Sequence, residues 1–177
     1  MAKPTRKIIF ECMEMLPEAL TPFVEKRLEN AIKGYWQQDV AQRLLGARSN
    51  SNGSIAWDQQ ALLKAFMVYW NDAFKQVLGH AERSYVSELL EVRNKLSHNE
   101  HFSYDDTERA LDTMRRLCEA ISAQSTATAI GKMRDAVLRV KFGELARAEE
   151  RRKTQKKRSY SRNCRRLKTV ARSCRTP

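Results

Sequence analysis

Residues 61–78 read Ala61-Leu62-Leu63-Lys64-Ala65-Phe66-Met67-Val68-Tyr69-Trp70-Asn71-Asp72-Ala73-Phe74-Lys75-Gln76-Val77-Leu78. Leu62, Phe66, Trp70, Phe74 and Leu78 fall four apart, flanked by Leu63, Met67 and Val77. That spacing draws a wide apolar stripe along a helix and lacks the alternation of a strand. Large aromatics on the stripe mark a central core helix in preference to an aromatic ligand site. Gly79 stands where the helix should end.

The same period extends outward in both directions. Leu16, Leu20, Phe23, Val24, Leu28 and Ile32 predict a first amphipathic helix, with Pro17 in its opening turn and Gly34 as its stop. Gly46 through Ser54 is polar and glycine-bearing, and reads as a mobile loop. After Gly79, Tyr85, Leu89, Val92 and Leu96 share one helical face, and that helix should end near His98-Asn99. Ser103 with Asp106 three residues later predicts a capping box. The helix it opens carries Ala110, Leu111, Met114, Leu117, Cys118 and Ile121. Ile130, Met133, Val137 and Val140 predict a fifth helix, running on towards Glu150. The fold class is therefore all-α, a bundle of about five helices.

Charge divides the chain more sharply than hydropathy does. The net charge is +12, yet residues 1–146 hold 20 basic and 19 acidic residues while 147–177 hold 13 and 2. We read 1–146 as the helical domain and 147–177 as a helix end running into a disordered basic tail. Within that tail Arg151, Arg152, Lys153, Lys156, Lys157 and Arg158 are candidate phosphate contacts for RNA. The four cysteines, Cys12, Cys118, Cys164 and Cys174, have neither C-x-x-C nor zinc-ligand spacing, so neither a metal nor a cofactor is expected. Ile8-Ile9-Phe10 is too short for a secretory core, and no stretch suits a membrane span. A cytoplasmic protein with reduced thiols is the expectation. The phosphate-loop pattern G-x-x-x-x-G-K-[ST] is missing, so the chain is not itself an ATPase.

Chemistry concentrates in Arg93-Asn94-Lys95-Leu96-Ser97-His98. Arginine grips phosphate through a planar fork of donors. Histidine, with an unperturbed pKa of about 6.5, moves protons near neutral pH. An adjacent amide orients either one. Arg93, Asn94 and His98 are thus candidate catalytic residues, and Lys95 a candidate nucleic-acid contact. The structural alternative stands beside this: His98 as a helix C-cap, Arg93 paired only with Glu88 or Glu91, Asn94 as a surface amide. His80 and His101 read as solvated, with His101 a secondary candidate. Asp105, Asp106 and Glu108 read as a helix N-terminus, not a metal site.

The residues around this hexapeptide resemble the HEPN family, most closely the Swt-type domains that head large ATPase proteins of bacterial phage defence. The likeness is specific in Ser87-Glu88-Leu89-Leu90-Glu91-Val92-Arg93-Asn94-Lys95 to His98, then Phe102-Ser103, Asp106 and Arg109 through Leu117. It extends more loosely over roughly residues 12–123, through Pro22-Phe23-Val24-Glu25, Trp57 to Leu63 and Trp70-Asn71. Leu96-Ser97 departs from the aromatic and alanine expected before the His, a change of packing more than of chemistry. For active members the resemblance implies a metal-independent endoribonuclease whose two subunits face their motifs into one cleft. It also implies RNA as substrate, a homodimer, and a partner ATPase or antitoxin. A non-catalytic dimerisation or docking module, including a truncated fragment of a larger ATPase system, is the alternative. A third reading is a nucleic-acid binder acting through residues 151–175.

Overall fold

Helix dominates the chain, as its periodicity predicts. The structure, a computed structural model, describes the backbone of residues 5–32, 34–44, 48–49 and 55–173; side chains are described up to residue 158, those of 48–49 excepted. In chain order it forms α1 (Thr5–Ala31), α2 (Trp36–Arg43), β1 (Arg48–Ser49), β2 (Ile55–Ala56), α3 (Gln59–Val68), a π-helical turn (Trp70–Phe74), α4 (His80–Ser97), α5 (Tyr104–Ala120) and α6 (Gln124–Ser173). β1 and β2 pair antiparallel, Arg48 opposite Ala56. Two residues a side leave the class all-α. The rest of the expected loop, together with Cys174, lies outside the described residues.

Among the described residues seven helical segments stand where about five were expected. The added α2 buries Trp36 and Val40, with Leu44 just beyond it. Three apolar residues in two polar turns gave too short a pattern to read. α1 is longer than its predicted stretch, because Ile9, Cys12 and Met13 continue the buried stripe towards the N-terminus. Pro17 and Pro22 therefore lie inside α1, each removing one hydrogen bond from its ladder. Gly34 takes φ +106°, a left-handed conformation that glycine adopts without penalty.

The opening stripe is buried as predicted, though not on one continuous α-helix. On a 3.6-residue helix a strict four-residue spacing drifts by about 40° per step. By Leu78 such a stripe would have turned well away from the face begun at Leu62. The π-helical turn, closed by Lys75 N–H donating to the Trp70 carbonyl at 2.8 Å, takes up an extra residue and resets the phase. Leu62, Phe66, Trp70, Phe74 and Leu78 all end up buried, and Tyr69 joins them. The Tyr69 hydroxyl donates to Asp39 Oδ2 at 2.8 Å, which ties the turn to α2. Burial first, then that carboxylate, pushes the phenol above its ordinary range.

α1 packs on α3 and α5, α3 on α4, and α4 on α5. At the centre Phe66 lies 4.5 Å from Phe74 and 6.2 Å from Phe23, ring centre to ring centre. Burial pushes the Cys118 thiol up to about 12, so it stays a neutral, unreactive thiol at physiological pH.

The predicted capping box forms at α5. Ser103 Oγ accepts from Asp106 N–H at 3.1 Å, and Ser103 N–H donates to Asp106 Oδ2 at 3.0 Å. The Ser103 hydroxyl and backbone N–H both favour the carboxylate, which holds Asp106 below the usual range. We predict that Ser103→Ala lowers thermal stability by about 1 kcal/mol at pH 7. A carboxyl depressed in the folded state stabilises above its unfolded pKa, and that contribution fades as pH falls through the folded value. The difference between variant and parent should therefore shrink below about pH 4. Paired melting curves at pH 7 and pH 3 check this.

Chain packing divides at Leu138, with a second unit starting at Arg139. In the first unit α6 buries Ala127, Ile130 and Val137, and Arg134 Nε donates to Glu108 Oε1 at 2.8 Å. Beyond it, the segment expected to run into a disordered basic tail continues α6 through Ser173. Arg, Lys, Gln and Glu are strong helix formers, and Lys153 pairs with Glu149 one turn away at 2.9 Å. Among the described residues no helix is long and apolar enough to cross a membrane.

Candidate functional site

α4 is held by Val86, Leu89, Val92 and Leu96, all buried, and this fixes what faces outward. Asn94, Lys95 and His98 are exposed and Arg93 is half-buried. The helix ends where its sequence suggested. His98 is the C-cap, at φ −86° and ψ 8°. Asn99 follows in the left-handed region at φ 57°. Asn99 N–H donates to the Leu96 carbonyl at 3.3 Å and Glu100 N–H to the Lys95 carbonyl at 3.0 Å. This is the Schellman closure, and asparagine is among the few residues that tolerate its left-handed position. Arg6 of α1 clamps the same end, donating to the Leu96 carbonyl at 3.0 Å and to Asn99 Oδ1. The cap thus fixes the backbone of the motif while its polar side chains stay outside.

Glu88, one of the two expected partners of Arg93, accepts instead from Arg109 Nε of α5 at 2.5 Å. Among the described residues no carboxylate forms an ion pair with Arg93. Arg93 lines a cavity of about 220 Å³, together with Leu96 and Ser97 of α4, Arg6, Phe10, Met13 and Glu14 of α1, and Gln59 of α3. His98 is not among the lining residues. On an ideal helix, residues five apart point about 140° from one another. Ending α4 at Ser97 puts the His98 ring on a cap residue at the rim of the helix end. Arg93, Asn94 and His98 therefore share one helix terminus, while Asn94 and His98 lie outside the cavity that Arg93 lines.

A model of the family described as Swt1-like HEPN matches residues 11–122, more than half of the chain. The chain belongs to this HEPN family. No curated protein and no solved structure matches it. The matched span runs from early in α1 to just past α5, the part of the HEPN domain that packs around α4.

The structure places the other candidates with less focus. Lys95 lies close enough to Asp106 to favour its charged form, after the Ser103 hydrogen bonds. His80 opens α4 and His101 lies between α4 and α5, both exposed. Arg151, Arg152, Lys153, Lys156, Lys157 and Arg158 are exposed along α6. Sequence reading missed Arg6, Phe10, Glu14 and Gln59. The first three fall on one face of α1 at helical spacing, a signal hidden because the predicted helix began further on, around Leu16.

Proposed function

We propose that this HEPN domain is a metal-independent endoribonuclease acting as a homodimer, its two Arg93-to-His98 motifs meeting in one cleft. The supporting observation is an Arg93 guanidinium free of any described carboxylate, at the same helix end as an exposed Asn94 and His98. A two-fold interface doubles the motif in one place and removes the angular problem of a single helix. His98 takes the proton of the RNA 2′-hydroxyl as its oxygen attacks the adjacent phosphorus. Arg93 neutralises the charge gathering on the phosphoryl oxygens, and Asn94 holds the phosphate. The P–O5′ bond breaks as a solvent water molecule protonates the leaving 5′-oxygen. The products are a 2′,3′-cyclic phosphate and a 5′-hydroxyl. The exposed basic face of α6 adds salt-dependent RNA affinity. The setting we infer is phage defence or a toxin role, restrained by a partner ATPase or antitoxin.

The test is cleavage of single-stranded RNA by purified protein in EDTA, with end-group analysis. The expected result is cyclic-phosphate ends and intact single-stranded DNA. RNA surviving intact across several sequences, with the protein dimeric by light scattering, overturns the proposal. One observation favours a non-catalytic docking module instead: Phe10, 54% exposed, offers an apolar anchor beside Arg93. That reading expects Arg93→Ala to change the oligomeric state with no nuclease signal to lose.

A further inference from the structure

The cavity beside Arg93 has features that a phosphate grip alone does not need. Its floor is apolar, from Met13 and Leu96, both buried. Phe10 at its rim is an aromatic ring left 54% exposed. Its polar groups sit together, Gln59 Nε2 donating to Glu14 Oε1. Arg6 is already committed to the end of α4, while Arg93, lining the same cavity, has no ion-pair partner among the described residues. A volume of about 220 Å³ falls below the range of drug-sized sites and suits one flat heterocycle.

We propose that this cavity is a base-specific subsite that takes guanine, from the nucleotide whose 2′-hydroxyl attacks. The inference rests on the nuclease reading above and adds its substrate class. Phe10 supplies the stacking face, a role aromatics serve for any base. Selectivity comes from Glu14. A carboxylate only accepts hydrogen bonds, and Glu14 is oriented by the Gln59 amide. The guanine edge offers two adjacent donors, the ring N1–H and the exocyclic amine, which a carboxylate meets with both oxygens. Uracil offers one N–H between two carbonyls, which a carboxylate repels. Adenine and cytosine each offer one amine beside an acceptor. Arg93, on the α4 wall of the same cavity, then faces the 3′-phosphate.

The experiment is calorimetric titration of the full chain with guanosine, adenosine, cytidine and uridine 3′-monophosphates. Wild type, Phe10→Ala and Glu14→Gln are compared, with melting curves as the folding check. Both substituted side chains are exposed, so both variants should fold. The guanosine nucleotide should bind at least tenfold more tightly than the other three. Phe10→Ala should weaken all four about tenfold, and Glu14→Gln should erase the guanine preference. Equal affinity for the four nucleotides overturns the proposal, as does guanosine binding indifferent to Phe10→Ala. The two readings fail separately. Cleavage without base preference and without guanosine binding removes the subsite and spares the nuclease. Guanosine binding that needs Phe10 and Glu14, in a protein that cuts no RNA, keeps the subsite and removes the nuclease.

Discussion

Replacing His98 by alanine is expected to lower RNA cleavage by about 10²- to 10⁴-fold, the usual contribution of a positioned general acid or base. Folding should be nearly untouched. The side chain is exposed at a C-cap, where the backbone closure depends on Asn99 and Glu100 rather than on the imidazole. Any loss of favourable helix-dipole interaction stays within about 1 kcal/mol. Arg93→Ala should cost about 10²- to 10³-fold, as when one preorganised donor to a developing oxyanion is removed. Arg93→Lys should recover part of it, keeping the charge and losing the fork. Mixing the two inactive proteins is the sharper measurement. If the guanidinium of one protomer and the imidazole of the other share a cleft, a mixed dimer regains a measurable fraction of activity. Two independent sites, each within one chain, regain none, and that result would sink the composite site.

Sequence pattern carried the bundle because burial follows one period over long stretches. Leu89, Val92 and Leu96 on α4, and Ala110, Leu111, Met114, Leu117 and Cys118 on α5, are buried where their spacing put them. The end of α4 and the capping box of α5 were legible because caps are local chemistry between residues a few positions apart. What escaped was either short or long-range. α2 offers too few apolar residues to establish a period. The π-helical turn leaves only an over-regular four-residue spacing, which reads as an ordinary helix until the drift is counted. The cavity unites α1, α3 and α4, and no local pattern says that Phe10, Gln59 and Arg93 meet. The pairing of Glu88 with Arg109, which takes that carboxylate from Arg93, joins residues on separate helices and is equally invisible to spacing.

Phe66→Ala is expected to destabilise the domain by about 3–5 kcal/mol, the range for emptying a buried phenylalanine site. The ring is fully buried between Phe74 at 4.5 Å and Phe23 at 6.2 Å. Its loss removes transfer energy, ring contacts and the filling of a space that α1, α3 and the π-helical turn enclose together. For a domain of this size the melting temperature should fall by roughly 10 °C. Phe66→Leu, which keeps most of the volume, should cost clearly less. Val68→Ala on the same helix is the control. Val68 is 46% exposed, so its change should stay within about 0.5 kcal/mol. The consequence reaches the motif, because α4 is seated on α3 and its hold on Arg93 rests in part on buried contacts of that kind. Below the variant's melting transition, cleavage should fall less than it does in His98→Ala, since the chemistry is intact and only its support has loosened. A Phe66→Ala protein as stable as its parent would mean that the stripe beginning at Leu62 does not form the centre of this fold.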